Sequence, residues 1–297
     1  MASGALTLDQ RLEARPAMER GRGAMRRLLA NRLTAVGLAL VLVFVLVALL
    51  APLVATHDPT AQNARETFLE PGWSHLMGTD ILGRDWFSRL VYGARVSLAV
   101  GVLAQVVILA VGGTIGMVAG YVGGRADNLL MRFTDLMYAF PDLLFIILLR
   151  SVLGGNVLSL ILVIGLVNWP DLARLIRVQA LSLKQQEYVV AAESLGTPGR
   201  DVVLRHILPN ALGPVIVVVT FGVPRAIFAE AALSFIGFGV DPRTPSWGSM
   251  IAEGYGAIFA FPHLVLFPAV ALSLVMLAFT FLGDGLRDAL DPRTRRA

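Results

Sequence analysis

Four histidines, at positions 57, 75, 206 and 263, are the residues of this chain best suited to metal or acid–base chemistry. No two of them have the four-residue spacing of a metal site on one helix, and neither His-Glu-x-x-His nor Gly-x-Ser-x-Gly occurs. The absence of cysteine excludes disulfides, thiolate metal sites and cysteine nucleophiles. The sequence therefore predicts no catalytic site and no metal site.

The only lysine, Lys184, bears on whether this chain binds ATP. A P-loop needs Gly-Lys followed by Ser or Thr, because its backbone cradles the phosphates and its lysine reaches them. Lys184 lies instead in Ser-Leu-Lys-Gln, so the chain has no such loop. If ATP drives this protein, another subunit must supply the ATPase.

Three ionisable residues lie within or at the ends of long apolar runs: Asp135, Arg225 and Glu230. Charges inside a bilayer are costly and usually face a bundle interior or a water-filled path. Arg225 and Glu230 are five residues apart, so on one helix their directions diverge by roughly 140° and they do not pair with each other. All three are candidates for lining a translocation path. The alternative is a structural ion pair, which we favour for Asp135.

The elements that position these residues are apolar helices. The chain is 56% hydrophobic and 15% charged, whereas soluble domains carry about 25% charged residues. A helix needs about 20 apolar residues to cross a bilayer. Six segments meet this need and predict an all-α integral membrane protein: Thr34–Val54, Val96–Val122, Phe133–Leu149, Val157–Leu175, Leu212–Phe238 and Leu264–Leu282. The first is too long for a signal peptide, and no Ala-x-Ala site follows it.

Glycines and prolines occur within these spans at positions that affect packing and straightness. Gly112, Gly116 and Gly120 lie four residues apart on one face of the second span, which predicts close packing against another helix. Pro141, Pro214 and Pro224 can kink their helices. Such kinks could provide a hinge, although proline is also common in membrane helices that do not move.

The arginines predict the orientation. With the N-terminus in the cytoplasm, 18 basic residues lie in cytoplasmic segments and 6 in external ones. This bias follows the positive-inside rule and explains the net charge of +4 without nucleic acid. It predicts a cytoplasmic segment at 1–33, a first helix at 34–54, an external loop at 55–95, a core at 96–284 with a cytoplasmic loop at 176–211, and a cytoplasmic tail at 285–297.

Two external segments have structure of their own. The residues Trp86–Ser97 are typical of a short amphipathic helix that leads into the second span. The segment Gly239–His263 has turn residues and four aromatics, which favours an interfacial hairpin. A docking surface for a partner is an alternative for that segment, and the two can both hold.

The cytoplasmic loop between the fourth and fifth spans predicts a helix, a tight turn and a second helix. The first helix covers Gln179–Leu195, and Gly196 ends it in the left-handed conformation. Thr197 caps the second helix, which runs to Leu208 and meets Pro209, a residue that disfavours straight continuation. The first helix could dock in a partner's groove. An ordinary surface loop is the alternative.

This loop resembles the EAA loop of ATP-binding cassette (ABC) importer permeases. Glu187-Tyr-Val-Val-Ala-Ala192, then Gly196, then His206-Ile-Leu-Pro-Asn210 follow that pattern. The resemblance implies that the first helix is a coupling helix, which sits in a cleft of a cytoplasmic ATPase. The implied coupling residues are Glu187, Tyr188, Ala191, Ala192, Glu193, Ser194, Leu195 and Gly196. The pattern often has a basic residue where this chain has Glu193, which leaves the electrostatics of the contact open.

Further motifs resemble the dipeptide/oligopeptide/nickel branch of these permeases, and specifically its second subunit. They are Met77-Gly-Thr-Asp-Ile-Leu-Gly-Arg-Asp85, Gly93-Ala-Arg95-Val-Ser97, Ala139-Phe-Pro141, Ala229–Gly239 and Leu282–Pro292. The resemblance implies one N-terminal helix before a five-helix type I importer core, in the bacterial inner membrane. It also implies the partners: a second permease, two ATPases that use ATP and Mg, and an extracytoplasmic solute-binding protein. The chain itself would bind membrane lipid, no cofactor and no nucleic acid.

The resemblance implies the permease subunit of a di- or oligopeptide importer, and three other functions are alternatives. The same family also carries nickel, glutathione and other small solutes, so the motifs do not identify the solute. A secondary transporter would need ion-coupling acids and often inverted repeats, and the halves show no convincing repeat. An intramembrane enzyme would need a nucleophile–base pattern, which the sequence lacks.

Overall fold

The computed structural model describes residues 31–241 and 243–290, and these are almost entirely helical. The N-terminal arginines before residue 31, Pro242 and the tail from residue 291 lie outside the described residues. The helices are α1 Arg32–Leu49, α2 Ala51–Val54, α3 Trp86–Val122, α4 Gly124–Tyr138, α5 Asp142–Leu153, α6 Val157–Lys184, α7 Glu187–Ser194, α8 Gly199–Val202, α9 Leu208–Phe235, α10 Trp247–Tyr255 and α11 His263–Leu290.

Five continuous helical segments among the described residues are long and apolar enough to cross a membrane: α1, α3, α6, α8 together with α9, and α11. The bent pair α4–α5 makes a sixth span if it is counted as one. Apolar residues cover the outside of this bundle, as a lipid-facing surface requires. The prediction of an all-α membrane protein with an N-terminal helix before the core is confirmed.

The third predicted span, Phe133–Leu149, is broken next to Pro141, the proline that predicted a kink there. The chain forms α4 and α5, which are bent by 89° relative to each other. The break lies at Ala139–Pro141, where Pro141 precedes α5 in an extended conformation. Proline has no N–H and its ring disfavours helical geometry in the residue before it, so the helix ends there and restarts in a new direction.

The second span is a 37-residue helix that includes the predicted amphipathic segment Trp86–Ser97 without a break. Its glycine face packs directly on the backbone of α6. A Cβ on Gly112 would lie 2.6 Å from the carbonyl oxygen of Trp169, and one on Gly116 would lie 2.3 Å from that of Ala173. The prediction that the glycines allow close helix packing is confirmed.

The fifth span begins with an irregular turn. The residues Val203–Ile207 form a π-helical turn between α8 and α9, and Pro209 follows in the first turn of α9. A π turn widens the helix and so accommodates a proline that lacks an N–H and needs room for its ring. The helix therefore continues past Pro209, and the expected break is replaced by this wide turn.

Two buried tryptophans join the external segments to the bundle. Trp86 Nε1 donates to the carbonyl oxygen of Leu264 at 3.1 Å, and Trp247 Nε1 donates to that of Leu90 at 3.0 Å. Trp247 is 1% exposed and begins α10, so this part of Gly239–His263 is a helix packed on the bundle. Tyr255 and Phe259 remain exposed.

Buried charges reinforce the same junction. Glu253 on α10 accepts hydrogen bonds from Arg84 Nη2 at 2.6 Å and from Arg89 Nη2 at 2.9 Å. Arg84 Nε also binds Asp80 at 2.6 Å. Buried ions need such partners because each has lost its hydration. The loop at 55–95 is therefore held against α10 by charge pairs as well as by packing.

Candidate coupling surface and translocation path

The helix α7 is the centre of the candidate coupling surface. It begins at Glu187, after a break at Gln185–Gln186, so the predicted helix Gln179–Leu195 is in fact the end of α6 followed by α7. Gln185 ends α6 and Gln186 is the extended N-cap of α7. The break allows α7 to turn away from the direction of α6.

Gly196 ends α7 as the sequence predicts. Its φ is +78°, and its N–H donates to the carbonyl oxygen of Glu193 at 2.9 Å. The N–H of Thr197 donates to the carbonyl oxygen of Ala192 at 3.1 Å. These two bonds form a Schellman motif, which needs a residue that tolerates positive φ. Thr197 thus takes part in ending α7, and Pro198 takes the N-cap position of α8 that Thr197 was expected to hold.

One face of α7 packs on this chain and the other is uncovered. Val189 is fully buried in a cluster with Ala180 of α6, Val202 of α8 and Ile207 of the π turn. On the other side, Leu195 is 86% exposed, and Tyr188 and Val190 are also exposed. Ala191, Glu193 and Ser194 are exposed and Ala192 is half-buried. The predicted coupling residues therefore form one accessible surface at the end of the bundle.

Tyr121, at the end of α3, connects this surface to two transmembrane helices. Its hydroxyl donates to Glu193 Oε1 at 3.2 Å. Lys184 Nζ, at the end of α6, donates to the Tyr121 carbonyl oxygen at 2.8 Å and lies 5.0 Å from the Tyr121 ring centroid. A Cβ on Gly199 would lie 2.9 Å from the Tyr121 hydroxyl. Glu193 therefore has a partner within this chain, which the sequence comparison with the EAA loop did not anticipate.

A cleft with about 540 Å³ of empty space lies between α3, α6 and α9. Its walls are mainly apolar, with Ile108, Ile164 and Val218 among them. Its polar lining residues are Gln105, Asn168, Asp171 and Arg225. Polar groups at membrane depth usually mark a path for a polar solute. This cleft is therefore the candidate translocation path on this chain.

Of the three charged residues that the sequence suggests for this path, only Arg225 lines the cleft. It lies on α9, is exposed, and projects among the polar residues of α3 and α6. Gly222, one turn earlier, leaves room for Gln105, because a Cβ there would lie 2.2 Å from the Gln105 side-chain oxygen. The sequence analysis did not identify Gln105, whose signal is an amide side chain in the middle of an uncharged membrane span.

Glu230 is fully buried and lies away from this cleft. Its Oε1 accepts hydrogen bonds from Ser234 Oγ at 2.7 Å and Ser246 Oγ at 2.6 Å, and its Oε2 accepts one from Ser97 Oγ at 3.4 Å. These three serines belong to α9, to the N-cap of α10 and to α3. The structure thus gives Glu230 the geometry of a structural link between helices, made through serine hydroxyls and not through the ion pair that the sequence offered as its alternative.

Asp135 forms an exposed ion pair with Arg174 at 2.6 Å, which matches the structural alternative favoured for it. Arg174 also lies 4.2 Å from the ring centroid of Tyr138, whose hydroxyl donates to Asp171. These contacts join α4 to α6 at the edge of the cleft. Asp135 therefore does not line the cleft and acts on it only through neighbouring side chains.

Comparisons with known proteins agree with this architecture. The model of the family "Binding-protein-dependent transport system inner membrane component" matches residues 112–296, and that of the "N-terminal TM domain of oligopeptide transport permease C" matches residues 20–71. The oligopeptide transport system permease protein OppC of Bacillus subtilis is 41% identical over 92% of this chain and 90% of its own length.

Two further relatives have similar coverage. The dipeptide transport system permease protein DppC of B. subtilis is 41% identical over 95% of this chain and 88% of its own length. The OppC protein of Haemophilus influenzae is 39% identical over 92% of this chain and 88% of its own length.

A solved structure has the same fold. A chain of the MetNI methionine ABC transporter, in an inward-facing conformation, aligns with 68% of this chain and 96% of its own length. The TM-score is 0.57 and the sequence identity is 17%.

Proposed function

This chain belongs to the family of binding-protein-dependent transport system inner membrane components, and on that premise we propose that it forms half of a translocation path for di- or oligopeptides. It is a non-catalytic, multi-pass permease subunit of an ABC importer in the inner membrane. The proposal of a peptide substrate is supported by the names of its relatives, which are 41% identical over more than nine-tenths of this chain.

The single observation that best supports energy coupling is the uncovered face of α7. Tyr188, Val190 and Leu195 are exposed there, although apolar side chains gain free energy when they leave water. Val189 anchors the opposite face, so the helix is presented rigidly. A groove in an ATPase subunit is the occupant that the family membership supports. Two such ATPases, using ATP and Mg, would drive this chain and a second, homologous permease.

We expect movement of α7 to be transmitted to the transmembrane helices through Tyr121 and Lys184. Movement of α7 towards its ATPase pulls on the ends of α3 and α6, which both line the cleft. ATP binding closes the ATPases and opens the cleft towards a solute-binding protein outside. ATP hydrolysis then returns the cleft to its inward-facing state. The arginine bias supports placing α7 and both termini in the cytoplasm, where ATP is available.

The cleft also has the charges that a short peptide needs. A dipeptide at neutral pH carries an ammonium group at one end and a carboxylate at the other. Arg225 offers a cation and Asp171 an anion in the same cleft, and Gln105 and Asn168 offer neutral hydrogen bonds. A path that must release its cargo as well as accept it should make only a small number of strong contacts with it.

Reconstituted transport tests the substrate and the energy source together. The importer, with both permeases and both ATPases, is placed in proteoliposomes with its binding protein outside and ATP inside. We expect uptake of a labelled dipeptide that stops when ATP is omitted. Uptake that follows a proton gradient and ignores ATP would contradict the proposal and support a secondary transporter.

Disulfide cross-linking tests the coupling surface, and the chain is suited to it because it has no cysteine of its own. We expect Leu195→Cys to form a disulfide with a cysteine introduced in the ATPase groove. Val189→Cys is the matched control, because that side chain is fully buried six residues away and should not react. Equal cross-linking at both positions, or at neither, would contradict the docking of this face.

A further inference from the structure

Three segments bring metal-binding side chains together at the external end of the bundle. His57 follows the first two helices, His75 lies in the loop at 55–95, and Asp85 is the N-cap of α3. One ligand atom from each of them lies within 4.8 Å of the others. We propose that His57, His75 and Asp85 bind a divalent transition-metal ion, of which Zn²⁺ is the reference case.

The distances suit such an ion after a small movement. His75 Nδ1 lies 2.8 Å from Asp85 Oδ1, and His57 Nδ1 lies 3.7 Å from the same oxygen. Around a tetrahedral zinc with bonds of about 2.0–2.1 Å, neighbouring ligand atoms are about 3.3–3.4 Å apart. These two distances fall on either side of this value, and no two of the three ligand atoms are more than 4.8 Å apart, so small side-chain movements would place all three around one ion.

Neighbouring groups orient these ligands. The second oxygen of Asp85 accepts hydrogen bonds from the backbone N–H of Ser88 at 2.8 Å and from Thr56 Oγ1 at 3.4 Å, which leaves Oδ1 directed at the histidines. The other ring nitrogen of His75 lies 3.6 Å from Glu66 Oε2. A carboxylate at the far nitrogen is the usual second partner of a metal-binding histidine, because it selects the tautomer whose near nitrogen is free.

The two imidazoles share one carboxylate oxygen. His75 Nδ1 lies 2.8 Å from Asp85 Oδ1, so a hydrogen bond joins them in the metal-free chain, and a metal ion would displace its proton. The His57 ring stacks on His75 with centroids 4.7 Å apart, and His57 Nδ1 lies 3.7 Å from the same oxygen. Two imidazoles and one carboxylate are ligands that suit a divalent transition metal.

The site has an entrance and an unused coordination position. Asp85 is 1% exposed, whereas the His57 side chain is 43% exposed. His57 also lines an open external groove with about 1090 Å³ of empty space, together with Tyr92 and Arg243. An ion could enter from this groove and keep a water or a solute group as its fourth ligand. Nitrogen-rich ligation suits Zn²⁺, Ni²⁺ or Cu²⁺ and disfavours Ca²⁺ and Mg²⁺.

Such an ion would change the chain in a defined way. It would fasten the end of α2, the loop at 55–95 and the start of α3 to one another, at the external mouth of the bundle. The sequence analysis predicted no metal site because it considered spacing on a single helix. The ligands come from three segments, and only the fold brings them together.

The test is Zn²⁺ binding by the intact importer, purified with a tag that contains no histidine and stripped with EDTA. We expect one Zn²⁺ per copy of this chain, in competition with a chromogenic chelator, with His57→Ala and His75→Ala each weakening affinity at least about tenfold. His206→Ala is the matched control and should leave the affinity unchanged. Ni²⁺ is then used in the same assay to rank the two ions.

His57→Ala keeps the test valid even if a variant of a buried ligand fails to fold, because His57 is partly exposed. X-ray absorption at the zinc edge should show two imidazoles and oxygen ligands at about 2.0–2.1 Å. Zn²⁺ binding that is equal in wild type and the His57→Ala, His75→Ala double variant would overturn the proposal. So would a zinc environment without imidazole. Neither readout depends on peptide transport.

Discussion

The hydroxyl of Tyr121 lies 3.2 Å from Oε1 of Glu193, and this hydrogen bond joins the end of α3 to the C-terminal end of the exposed helix α7. The bond links the helix that we propose for ATPase docking to a helix that lines the cleft. Lys184 extends the link to α6. Tyr121 thus connects α3, α6 and α7 at one residue.

Removing only this hydroxyl, in Tyr121→Phe, should loosen the coupling and leave the fold intact. The bond is exposed to solvent, so it contributes at most about 1 kcal/mol to stability. We expect more ATP hydrolysed per peptide transported, measured in proteoliposomes, at an unchanged melting temperature. Tyr92→Phe, at the external end of the same helix, is the control. An unchanged ATP-to-peptide ratio in Tyr121→Phe would count against this link.

Gly196 should tolerate Asn and resist Val. No atom lies within 4 Å of a Cβ built on Gly196, so the only cost is its φ of +78°. That conformation costs about 1–2 kcal/mol for most L-residues, more for β-branched ones, and less for Asn. We expect Gly196→Val to uncouple ATP hydrolysis from peptide uptake while the protein still inserts in the membrane. Gly196→Asn should stay close to wild type, and normal uptake by Gly196→Val would contradict the role of this turn.

The glycine face of α3 predicts a sharp contrast between two neighbouring positions. A Cβ on Gly116 would lie 2.3 Å from the carbonyl oxygen of Ala173, so Gly116→Ala must force α3 and α6 apart. A Cβ on Gly113 would meet only two flexible side-chain ends at 3.7 Å. We expect Gly116→Ala to lower the melting temperature of the detergent-solubilised protein by several degrees. Gly113→Ala should leave it unchanged or raise it, because alanine favours the helix by about 0.5–1 kcal/mol. A reversed order would show that this interface is not closely packed.

Arg225→Gln should reduce peptide uptake without affecting assembly. The guanidinium is exposed in the cleft, so its loss removes a charge from the proposed path and leaves no buried group unpaired. We expect severalfold lower uptake of a zwitterionic dipeptide, measured with saturating ATP and binding protein, and partial retention in Arg225→Lys. Arg65→Gln, in the external loop, is the control. Equal uptake in Arg225→Gln and wild type would remove Arg225 from the path.

Glu230→Gln should affect stability more than transport. The Glu230 carboxylate accepts hydrogen bonds from three serine hydroxyls, and a glutamine replaces one acceptor oxygen with a donor. One serine hydroxyl would then have to turn and accept from the NH₂ group instead of donating, at a net cost of about 1 kcal/mol. We expect a lower melting temperature with dipeptide uptake per folded transporter close to wild type. Loss of uptake at an unchanged melting temperature would instead favour a role in the path.

Local chemistry explains what the sequence predicted correctly. Apolar runs located the membrane helices, since a bilayer requires about 20 apolar residues wherever a helix crosses it. The glycine spacing predicted the α3–α6 contact, since only residues without a Cβ permit backbones so close. Gly196 predicted the end of α7, since the Schellman motif needs a positive φ. Each of these follows from neighbours along the chain.

The kink that Pro141 predicted in the third span proves to be a sharp change of direction. A local rule identifies the residue but gives no angle, and the 89° between α4 and α5 comes only from the structure. Distant residues contact α5 in its new direction: it packs in a cluster with α6, and Arg150 near its end donates to the carbonyl oxygen of Phe238.

By itself, the sequence determined the class of the protein, its apolar spans and the exposed loop between α6 and α9, because composition and periodicity act over a few turns of helix. Only the tertiary structure decided which charges face the cleft and which are buried. Arg225 and Glu230 are five residues apart, yet one lines the cleft and the other binds three serines. The tertiary structure also brings His57, His75 and Asp85 together. Contacts of this kind join residues that are separated along the chain, and a local sequence pattern does not record them.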